Sequence, residues 1–514
     1  MEYWTIALSI LAGIFAIYYY SSRKNSNVFR QHGIPHAKQY SLIEDLWKIF
    51  VRPKSFADAI KEIYNLHSDA KYVGAFQLTK SFVMIRDPEL IKFVGIKNFD
   101  AFHDHVFFGN ETQDPLFGMN LFALRGDKWR DIRGLLSPAF TASKMKAMCQ
   151  LISECAVNFS EYLTNVPSDE RVMEMKEIFS RYANDVIASC AFGINVDSMR
   201  NPTNEFYTFG KKATNFDVIA LIKILMYQHM PTLIRLLNLK LLDDRTNEFF
   251  INLVADTMRL REEKGVTRPD VIQLLMESKG KREPGRELSI VNMTSQAFIF
   301  FLAGFETSST LMSFAAHEIA VNPDVQEKLQ KEIDKVMEET NGQPSYEAIN
   351  EMKYLNAVIS ESLRKYPVQP MTDRLCVKDF ELPAALPDAK PYLVKKGTLV
   401  WIPFYGLQHD PKYFSEPDKF KPERFLGEAE GECNLDAYYP FGLGPRMCIG
   451  NRFALLETRI LFFHLLARCQ LKPCEKTSTS VKLQKGGFSM RIEGGFWLSV
   501  VPRENRHPAI QNRN

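Results

Sequence analysis

A cysteine in a glycine-rich loop is the feature that most constrains this chain. Residues 441–459 read FGLGPRMCIGNRFALLETR, so Cys448 lies just before an apolar helical pattern that begins near Asn451. An unperturbed thiol titrates at about 8.5, but the positive end of a helix favours the thiolate, which is the form that ligates metals. Cys448 is therefore either a metal ligand or, like most lone cysteines, a buried structural side chain.

The neighbours of Cys448 favour a flat ligand that carries carboxylates. Gly444 can adopt the positive φ of a tight loop, and Gly450 leaves room for a flat group against the backbone. Arg446 can meet a carboxylate of that group. Such a loop describes a thiolate axial ligand to haem iron. The string Phe441-x-x-Gly444-x-Arg446-x-Cys448-x-Gly450 resembles the haem-binding loop of the cytochromes P-450, the haem-thiolate monooxygenases. The resemblance implies haem b held by these five residues, with Cys448 on the iron.

A second motif, AGFETS at residues 303–308, fits the opposite face of a haem. Ala303 and Thr307 are four residues apart and share one helix face, so a small side chain can lie over the iron with a hydroxyl one turn further on. Gly304 permits a local opening of the helix where oxygen could fit, and Glu306 can supply an exchangeable proton beside Thr307. A buried helix with a capping threonine is the alternative. The motif resembles the acid–alcohol pair of the P-450 distal helix, which implies catalytic roles for Ala303, Gly304, Glu306 and Thr307.

Two haem propionates require cations, and the chain offers them at separated places. Trp129-x-x-x-Arg133 puts an indole N–H and a guanidinium on one helix face. Arg374 matches the strand arginine of the P-450 family and would join Arg446. The resemblance thus implies that Trp129, Arg133, Arg374 and Arg446 bind the haem propionates.

A Glu/Arg pair at helical spacing is typical of solvated surfaces, where it contributes only a few tenths of a kcal/mol. Glu361 and Arg364 form such a pair here, and Arg424 lies in a downstream PERF segment. In the P-450 family these three side chains form a buried structural triad. We therefore expect Glu361, Arg364 and Arg424 to support the cysteine side of the haem and to have no catalytic role.

The chain is predicted to be mainly α with small β-sheets, which agrees with a cytochrome P-450 fold. Residues 71–86 favour a hairpin, most of 127–370 shows helical periodicity, and 346–366 carries one apolar helical stripe that ends before Pro367. The net charge of +3 gives no reason to propose nucleic acid as a partner, and the eight cysteines form no CxxC or zinc spacing. A reducing compartment is the simplest inference.

The N-terminus predicts a membrane anchor. Residues 3–22 carry no charged side chain and would span about 30 Å as a helix, and Arg23, Lys24 and Arg30 follow. A cleaved signal peptide is the alternative, but no basic cluster precedes the run. We expect an anchor at 1–22, a basic linker at 23–40 and one haem-binding domain at 41–514. The basic flank predicts a domain on the cytosolic side of the membrane, and the resemblance to microsomal cytochromes P-450 implies the endoplasmic reticulum membrane, in contact with lipid.

The resemblance also implies an activity and its partners. The acid–alcohol pair favours oxygen activation over peroxide rearrangement, with electrons from NADPH through NADPH–cytochrome P-450 reductase and with cytochrome b5 as a further partner. Lys128 and Arg130 are candidates for a basic docking face or ordinary solvated charges. AGFETSST, FGLGPRMCIGNRFALLE and Arg268-x-Asp270 together resemble insect family nine, whose members oxidise lipophilic foreign compounds.

The sequence constrains the identity of the substrate less than it constrains the type of reaction. A hydroxylase of a hormone, pheromone or lipid is the alternative enzyme, and a haem sensor or carrier without turnover is the alternative from another class. Phe-rich residues 101–122 lie where the family has a substrate-contacting loop. The expected pocket residues are Phe107, Phe108, Phe117, Phe122, Ile299, Leu302, Val368 to Thr372 and Phe488 to Met490.

Overall fold

The computed structural model describes residues 28–40, 54–77, 80–106, 111–216, 218–278, 288–427, 433–486 and 490–504. The predicted anchor at 1–22, together with Phe107, Phe108 and Phe488, lies outside the described residues.

Helices form most of the described chain, as predicted. They are α1 (Phe56–Tyr64), α2 (Pro88–Lys92), α3 (Pro115–Gly118), α4 (Gly126–Leu136), α5 (Ala142–Thr164), α6 (Met175–Ile187), α7 (Glu205–Thr214), α8 (Val218–His229), α9 (Pro231–Leu236), α10 (Asp244–Lys264), α11 (Val271–Ser278), α12 (Ile290–Val321), α13 (Pro323–Glu339), α14 (Tyr346–Glu351), α15 (Lys353–Lys365), α16 (Phe404–Gln408) and α17 (Asn451–Arg468). Short 3₁₀ segments include Pro422–Phe425.

The 32-residue helix α12 is the centre of the helical part. Ser289 caps its first turn by accepting a hydrogen bond from the Asn292 N–H. Its best 18-residue window has a mean hydropathy of 1.3, enough for a membrane span, but 61% of that window is buried inside the protein. Helices α3, α6, α7, α10, α15 and α17 pack against it. We therefore interpret α12 as a core helix.

Three small sheets complete the fold. The strands are β1 (Tyr72–Gln77), β2 (Lys80–Ile85), β3 (Val172–Glu174), β4 (Thr372–Leu375), β5 (Phe380–Leu382), β6 (Tyr392–Val394), β7 (Leu399–Ile402), β8 (Cys469–Lys472) and β9 (Trp497–Pro502). The sheet orders are β1-β2-β7-β4, β3-β9-β8 and β5-β6. The predicted hairpin is present, with Tyr72 opposite Ile85. Strand β4 runs antiparallel to β7 and places Arg374 opposite Val400.

The predicted single helix over 346–366 is wrong in one respect. Met352 has extended backbone, with ψ of 102°, and separates α14 from α15. The Glu332 carboxylate on α13 accepts hydrogen bonds from the N–H groups of Tyr354 at 2.8 Å and Leu355 at 2.9 Å. A side chain distant in sequence thus satisfies the first turn of a new helix. The helix does end at Lys365, two residues before Pro367, as predicted.

The predicted linker over 23–40 also differs from the structure in its described part. Phe29 and Ile34 are buried in the core that contains β1 and β2. The Gly74 N–H donates to the Pro35 carbonyl at 2.9 Å, and a Cβ on Gly74 would lie 2.6 Å from the Phe29 ring. The described part of this segment, residues 28–40, therefore packs on the domain, because Phe29 and Ile34 find a buried site on the sheet.

Candidate functional site

The Cys448 loop is fixed by its own backbone. The Cys448 N–H donates to the Phe441 carbonyl at 2.9 Å, and the Met447 N–H donates to the Gly444 carbonyl at 2.9 Å. Gly444 has φ of +68°, and a Cβ there would lie 2.2 Å from the Gly95 carbonyl oxygen. Only glycine fits this conformation and this contact. The loop therefore presents Cys448 at one defined position before α17.

Cys448 is accessible to solvent although much of the protein surrounds it. Its surface is exposed, yet burial raises the pKa of its thiol. Both observations hold for a side chain in a recess of the protein. The Gly450 N–H and the Arg133 guanidinium oppose this rise, because each lowers the pKa of the thiol. Arg133, predicted from a motif more than 300 residues upstream, therefore lies close enough to Cys448 to favour its thiolate.

Two buried arginines stand beside this loop. Arg374 is 1% exposed and donates to the carbonyls of Asp373 at 2.7 Å and Leu443 at 3.3 Å, but its buried Nε has no partner among the described residues. Arg446 stacks over the Trp129 ring at 4.1 Å. Burial lowers the pKa of Arg374 to about 10 and that of Arg446 to about 9. The positive charge of Arg374 also contributes to the lowered pKa of Arg446. Arg446 also pairs with the Asp104 carboxylate at 3.4 Å, whereas the unpartnered Nε of Arg374 still favours an anion.

The same cluster contains a histidine that the motif search missed. Buried His105 contacts the Asp373 carboxylate through Nδ1 at 3.0 Å. It stacks on the Phe122 ring with centroids 4.7 Å apart. Burial lowers the pKa of His105, and Arg374 and Arg446 lower it further, while Asp373 opposes them. No local spacing signals this pair, because its members are 268 residues apart in sequence.

The distal motif lies on α12 as predicted. Ala303 is exposed in the middle of this mostly buried helix. The Thr307 hydroxyl donates to the Ala303 carbonyl at 2.5 Å, which places both residues on one face. The predicted opening at Gly304 is absent from this described helix, which continues through it. The side chain of Ile187 on α6 packs against Gly304, and its Cδ1 would lie 2.7 Å from a Cβ on Gly304.

The surroundings of Glu306 differ from those expected of a proton source. Its carboxylate pairs with Lys176 at 3.2 Å and with Arg491 at 3.2 Å. Burial alone would raise the pKa of Glu306, but these two cations outweigh it and the pKa falls. Burial lowers the pKa of Lys176 to about 8. Glu306 is thus held as a carboxylate, which can pass on a proton but does not store one at neutral pH.

The expected triad forms on the cysteine side. Arg364 donates to Glu361 through Nε at 2.8 Å and through Nη2 at 2.9 Å, and Arg424 donates to Glu361 at 3.3 Å. Arg364 also donates to the Gln408 carbonyl at 2.9 Å. All three side chains are fully buried. The bidentate pair lies within α15, and the hydrogen bonds of Glu361 with Arg424 and of Arg364 with the Gln408 carbonyl fasten α15 to segments that precede the Cys448 loop.

Some predicted positions have other surroundings. Phe117 is a core side chain, with its ring 5.5 Å from that of Phe298, whereas Phe122 is 42% exposed. Lys128 pairs with Glu111 at 3.2 Å, and Arg130 pairs with Asp127 at 2.9 Å. These carboxylates reduce the basic character that we expected on this part of the surface.

The residues of these motifs fit a haem. The Cys448 thiol is accessible, a small exposed alanine belongs to the distal motif, and the Nε of buried Arg374 lacks an acceptor among the described residues. The thiolate, the small residue and the cations match an iron ligand, an open coordination position and two carboxylates. Cys448, Arg446, Arg374, Trp129 and Arg133 could therefore hold the group.

Comparison with known proteins supports the same interpretation. The family model for Cytochrome P450 matches residues 49–498. Cytochrome P450 9e2 of Blattella germanica is 43% identical over 531 aligned positions, covering 98% of each chain. Probable cytochrome P450 9f2 of Drosophila melanogaster is 39% identical over 505 positions, covering 95% of this chain and 97% of the relative. The expected similarity to insect family nine is confirmed.

Proposed function

Because the chain belongs to the cytochrome P450 family, we propose that it is a microsomal monooxygenase that inserts one oxygen atom from O₂ into lipophilic foreign compounds such as plant toxins and insecticides. The observation that carries this proposal is the accessible Cys448 thiol in a fixed loop beside buried Arg374, whose Nε has no acceptor among the described residues.

Cys448 is the iron ligand in this proposal. Haem, when bound, supplies the oxygen activation and C–H oxidation, and thiolate ligation favours O–O cleavage. The Gly450 N–H and Arg133 favour the thiolate, and the loop geometry orients it. The chain itself thus contributes a preoriented sulfur ligand, and the Gly450 N–H and Arg133 partly offset the rise that burial causes in its pKa.

The cation cluster would hold the haem carboxylates. Arg374 and Arg446 approach from β4 and from the Cys448 loop, and Trp129 and Arg133 approach from α4. Trp129 also holds Arg446 by stacking. Negative carboxylates would relieve the repulsion between the two buried guanidiniums, so that the bound group stabilises the fold as well as the site.

Proton delivery uses Glu306 and Thr307. A cavity of about 610 Å³ is lined by Glu306, Lys176, Arg491 and Tyr207 among others, and it gives protons a route toward the Glu306 carboxylate. Glu306 takes up a proton there and passes it along α12 toward the Thr307 hydroxyl. Lys176 assists, because its ammonium has a lowered pKa of about 8 and touches Glu306.

Lipophilic foreign compounds are favoured as substrates by two features. The similar proteins include several of insect family nine, and the predicted pocket residues Ile299 and Leu302 are half-buried and Phe122 is exposed. Apolar and aromatic linings suit apolar ligands. Hydroxylation of an endogenous hormone, pheromone or lipid is the second candidate, because such molecules share this chemistry.

The membrane and the electron donors belong to the same proposal. Helices α8 and α9 and the residues after them expose several large apolar side chains, namely Ile219, Ile222, Met230, Leu233, Leu236 and Leu237. An exposed apolar surface of this kind suits contact with lipid. We place the enzyme on the cytosolic side of the endoplasmic reticulum membrane, with electrons from NADPH through NADPH–cytochrome P-450 reductase and with cytochrome b5 as an additional donor.

The proposal is tested with membranes that contain this chain and the reductase. We expect NADPH-dependent depletion of several unrelated lipophiles from a panel of flavonoids, alkaloids and insecticides, with inhibition by CO. The Cys448→Ala variant is the matched control for depletion by other membrane proteins. A preparation with a proper reduced-CO spectrum that consumed no compound in the panel would refute the xenobiotic assignment and favour an endogenous substrate.

A further inference from the structure

The cavity of about 610 Å³ beside Glu306 carries an excess of positive charge. Five of its lining side chains are cationic and three are carboxylates, a net charge of +2, whereas the whole chain of 514 residues has a net charge of only +3. Asp243 pairs with Lys212 at 3.0 Å from outside the lining, and the group that includes it is still positive. Such a concave surface attracts anions. The five cations are Lys176, Arg181, Lys211, Lys212 and Arg491.

The carboxylates of the cavity do not neutralise these cations. Glu306 pairs with two of them at 3.2 Å each, and Glu177 pairs with both Lys211 at 2.8 Å and Arg181 at 3.2 Å. One carboxylate that is shared between two cations balances only one of the two charges. The third carboxylate, Glu174, accepts hydrogen bonds from two backbone N–H groups at 2.8 Å and 2.9 Å instead. The cations therefore retain capacity for a further anion.

A buried hydroxyl on α6 also faces this cavity. Ser180 lines the cavity and is 6% exposed, and its Oγ forms no hydrogen bond with a described residue. Serine and threonine hydroxyls on helices often donate to the carbonyl four residues earlier, as those of Ser309 and Thr310 do on α12. Because buried polar groups are nearly always satisfied, the hydroxyl of Ser180 indicates a partner inside the cavity.

The donors in the cavity suit a phosphate-class oxyanion. Ammonium and guanidinium groups are donors only, and a serine hydroxyl can donate as well. A phosphate group offers several acceptor oxygens together with negative charge, and arginine and lysine are the residues that commonly bind it. The cavity of about 610 Å³ is larger than one phosphate group, so it has room for the organic part of a small phosphate ester.

Three side chains are available for direct contact with such an anion. Lys211 and Arg491 line the cavity and are 57% and 47% exposed, and Ser180 supplies the buried hydroxyl. Lys176 differs, because its ammonium already donates to the Ser309 hydroxyl at 2.5 Å and to a backbone carbonyl at 3.0 Å. It therefore contributes charge rather than a hydrogen bond.

We propose that this cavity binds a phosphate-class oxyanion, either free phosphate or a small phosphate ester, through Lys211, Arg491 and Ser180, and that the bound anion slows proton delivery to Glu306. Binding is independent of the proposed function. The effect on proton delivery rests on that function, because the same cavity is the proposed proton route. A bound anion displaces water from the route and competes with Glu306 for Arg491.

Isothermal titration calorimetry of the full-length holoprotein tests the binding. The titrants are inorganic phosphate and glucose 6-phosphate, in a buffer without phosphate and with sodium chloride to keep the ionic strength constant. We expect saturable binding. Equal dissociation constants would identify free phosphate as the ligand, and a dissociation constant at least about tenfold lower for glucose 6-phosphate would identify an ester. The absence of saturable heat with both titrants would overturn the site.

Variants of the lining should move the dissociation constant of phosphate in opposite directions. Lys211→Met removes a cation and Ser180→Ala removes a donor, and each should raise the dissociation constant by about threefold. Glu177→Gln removes a carboxylate that competes with the ligand, and should lower the dissociation constant by a similar factor. Lys395→Met is the matched control, because exposed Lys395 pairs with Asp379 at 3.0 Å outside the cavity. Equal dissociation constants in all four variants would place the bound anion elsewhere and overturn the site.

The ratio of product formed to NADPH consumed tests the effect on proton delivery. Saturating phosphate should lower this ratio in the unmodified protein, and Ser180→Ala should need a higher phosphate concentration for the same effect. Cytochrome c reduction by the reductase alone, at the same phosphate concentrations, corrects for effects on the electron donor. Saturable binding with an unchanged ratio would overturn the effect on proton delivery. Failure of the monooxygenase proposal is a separate result, because calorimetry measures binding without turnover.

Discussion

Replacing Glu457 with glutamine should remove a large pH dependence of stability. Glu457 lies on α17 and is 0% exposed, and neither carboxyl oxygen has a hydrogen-bond partner among the described residues. Burial raises the pKa of Glu457 to about 8 from its ordinary 4.5, and the Ser308 hydroxyl opposes this shift. Because Ser308 is itself without a partner of good geometry, we treat that opposition as weak. The carboxyl group is therefore neutral in the folded protein near pH 7.

The magnitude follows from the two pKa values. At about 1.4 kcal/mol for each pKa unit, the change from 4.5 to about 8 amounts to roughly 5 kcal/mol. Between these pH values the folded state binds the proton and the unfolded state releases it. This contribution to stability is therefore fully present below about pH 4.5, falls as the pH rises, and is lost above about pH 8. Roughly 3 kcal/mol would already be missing at pH 7.

Urea unfolding followed by circular dichroism from pH 5 to 9 measures this effect. Glu457→Gln should match the unmodified protein at pH 5 within about 1 kcal/mol, since its amide is equally buried, and should exceed it by about 4 kcal/mol at pH 9. Exposed Glu338 provides the control, because Glu338→Gln should leave the pH profile unchanged. Parallel profiles for Glu457→Gln and the unmodified protein would refute the reasoning.

Three further predictions concern the haem site. Thr307→Ala should keep the thiolate-type spectrum of the reduced CO complex and uncouple NADPH consumption from product formation; unchanged coupling would contradict the proton relay. Gly444→Ala should destabilise the protein by about 2 kcal/mol or more, seen as a lower haem-loaded fraction, because a Cβ would lie 2.2 Å from the Gly95 oxygen at a φ of +68°. Glu361→Gln should lower the free energy of unfolding by about 3–5 kcal/mol, because it removes the charge that faces buried Arg364. Normal thermal stability of that variant would contradict a structural role for the triad.

Local patterns carried most of what could be predicted. The Cys448 loop, the distal motif on α12 and the triad are short strings whose residues are close in sequence, so spacing alone places them on one loop or one helix face. The positive φ of Gly444 was predictable because few residues other than glycine tolerate such a turn. The hairpin and the mainly helical class follow from hydrophobic periodicity in the same way.

The parts that escaped prediction depend on partners far away in sequence. Glu306 was expected to supply a proton, but Lys176 and Arg491, 130 and 185 residues away, hold it as a carboxylate. The break at Met352 depends on Glu332 from another helix, and the room at Gly304 is taken by Ile187 of α6. Periodicity carries no information about such contacts, since they exist only once the elements pack.

The central claim is that Cys448 provides a thiolate to haem iron, and the reduced-CO difference spectrum tests it most directly. The holoprotein is reduced with dithionite and exposed to CO, in parallel with Cys448→Ala and with Cys474→Ala as a cysteine control outside the loop. The account predicts a thiolate-type Soret band for the unmodified protein and for Cys474→Ala, and its loss in Cys448→Ala. A thiolate-type band that persists in Cys448→Ala, or that is absent from haem-loaded unmodified protein, would contradict the account.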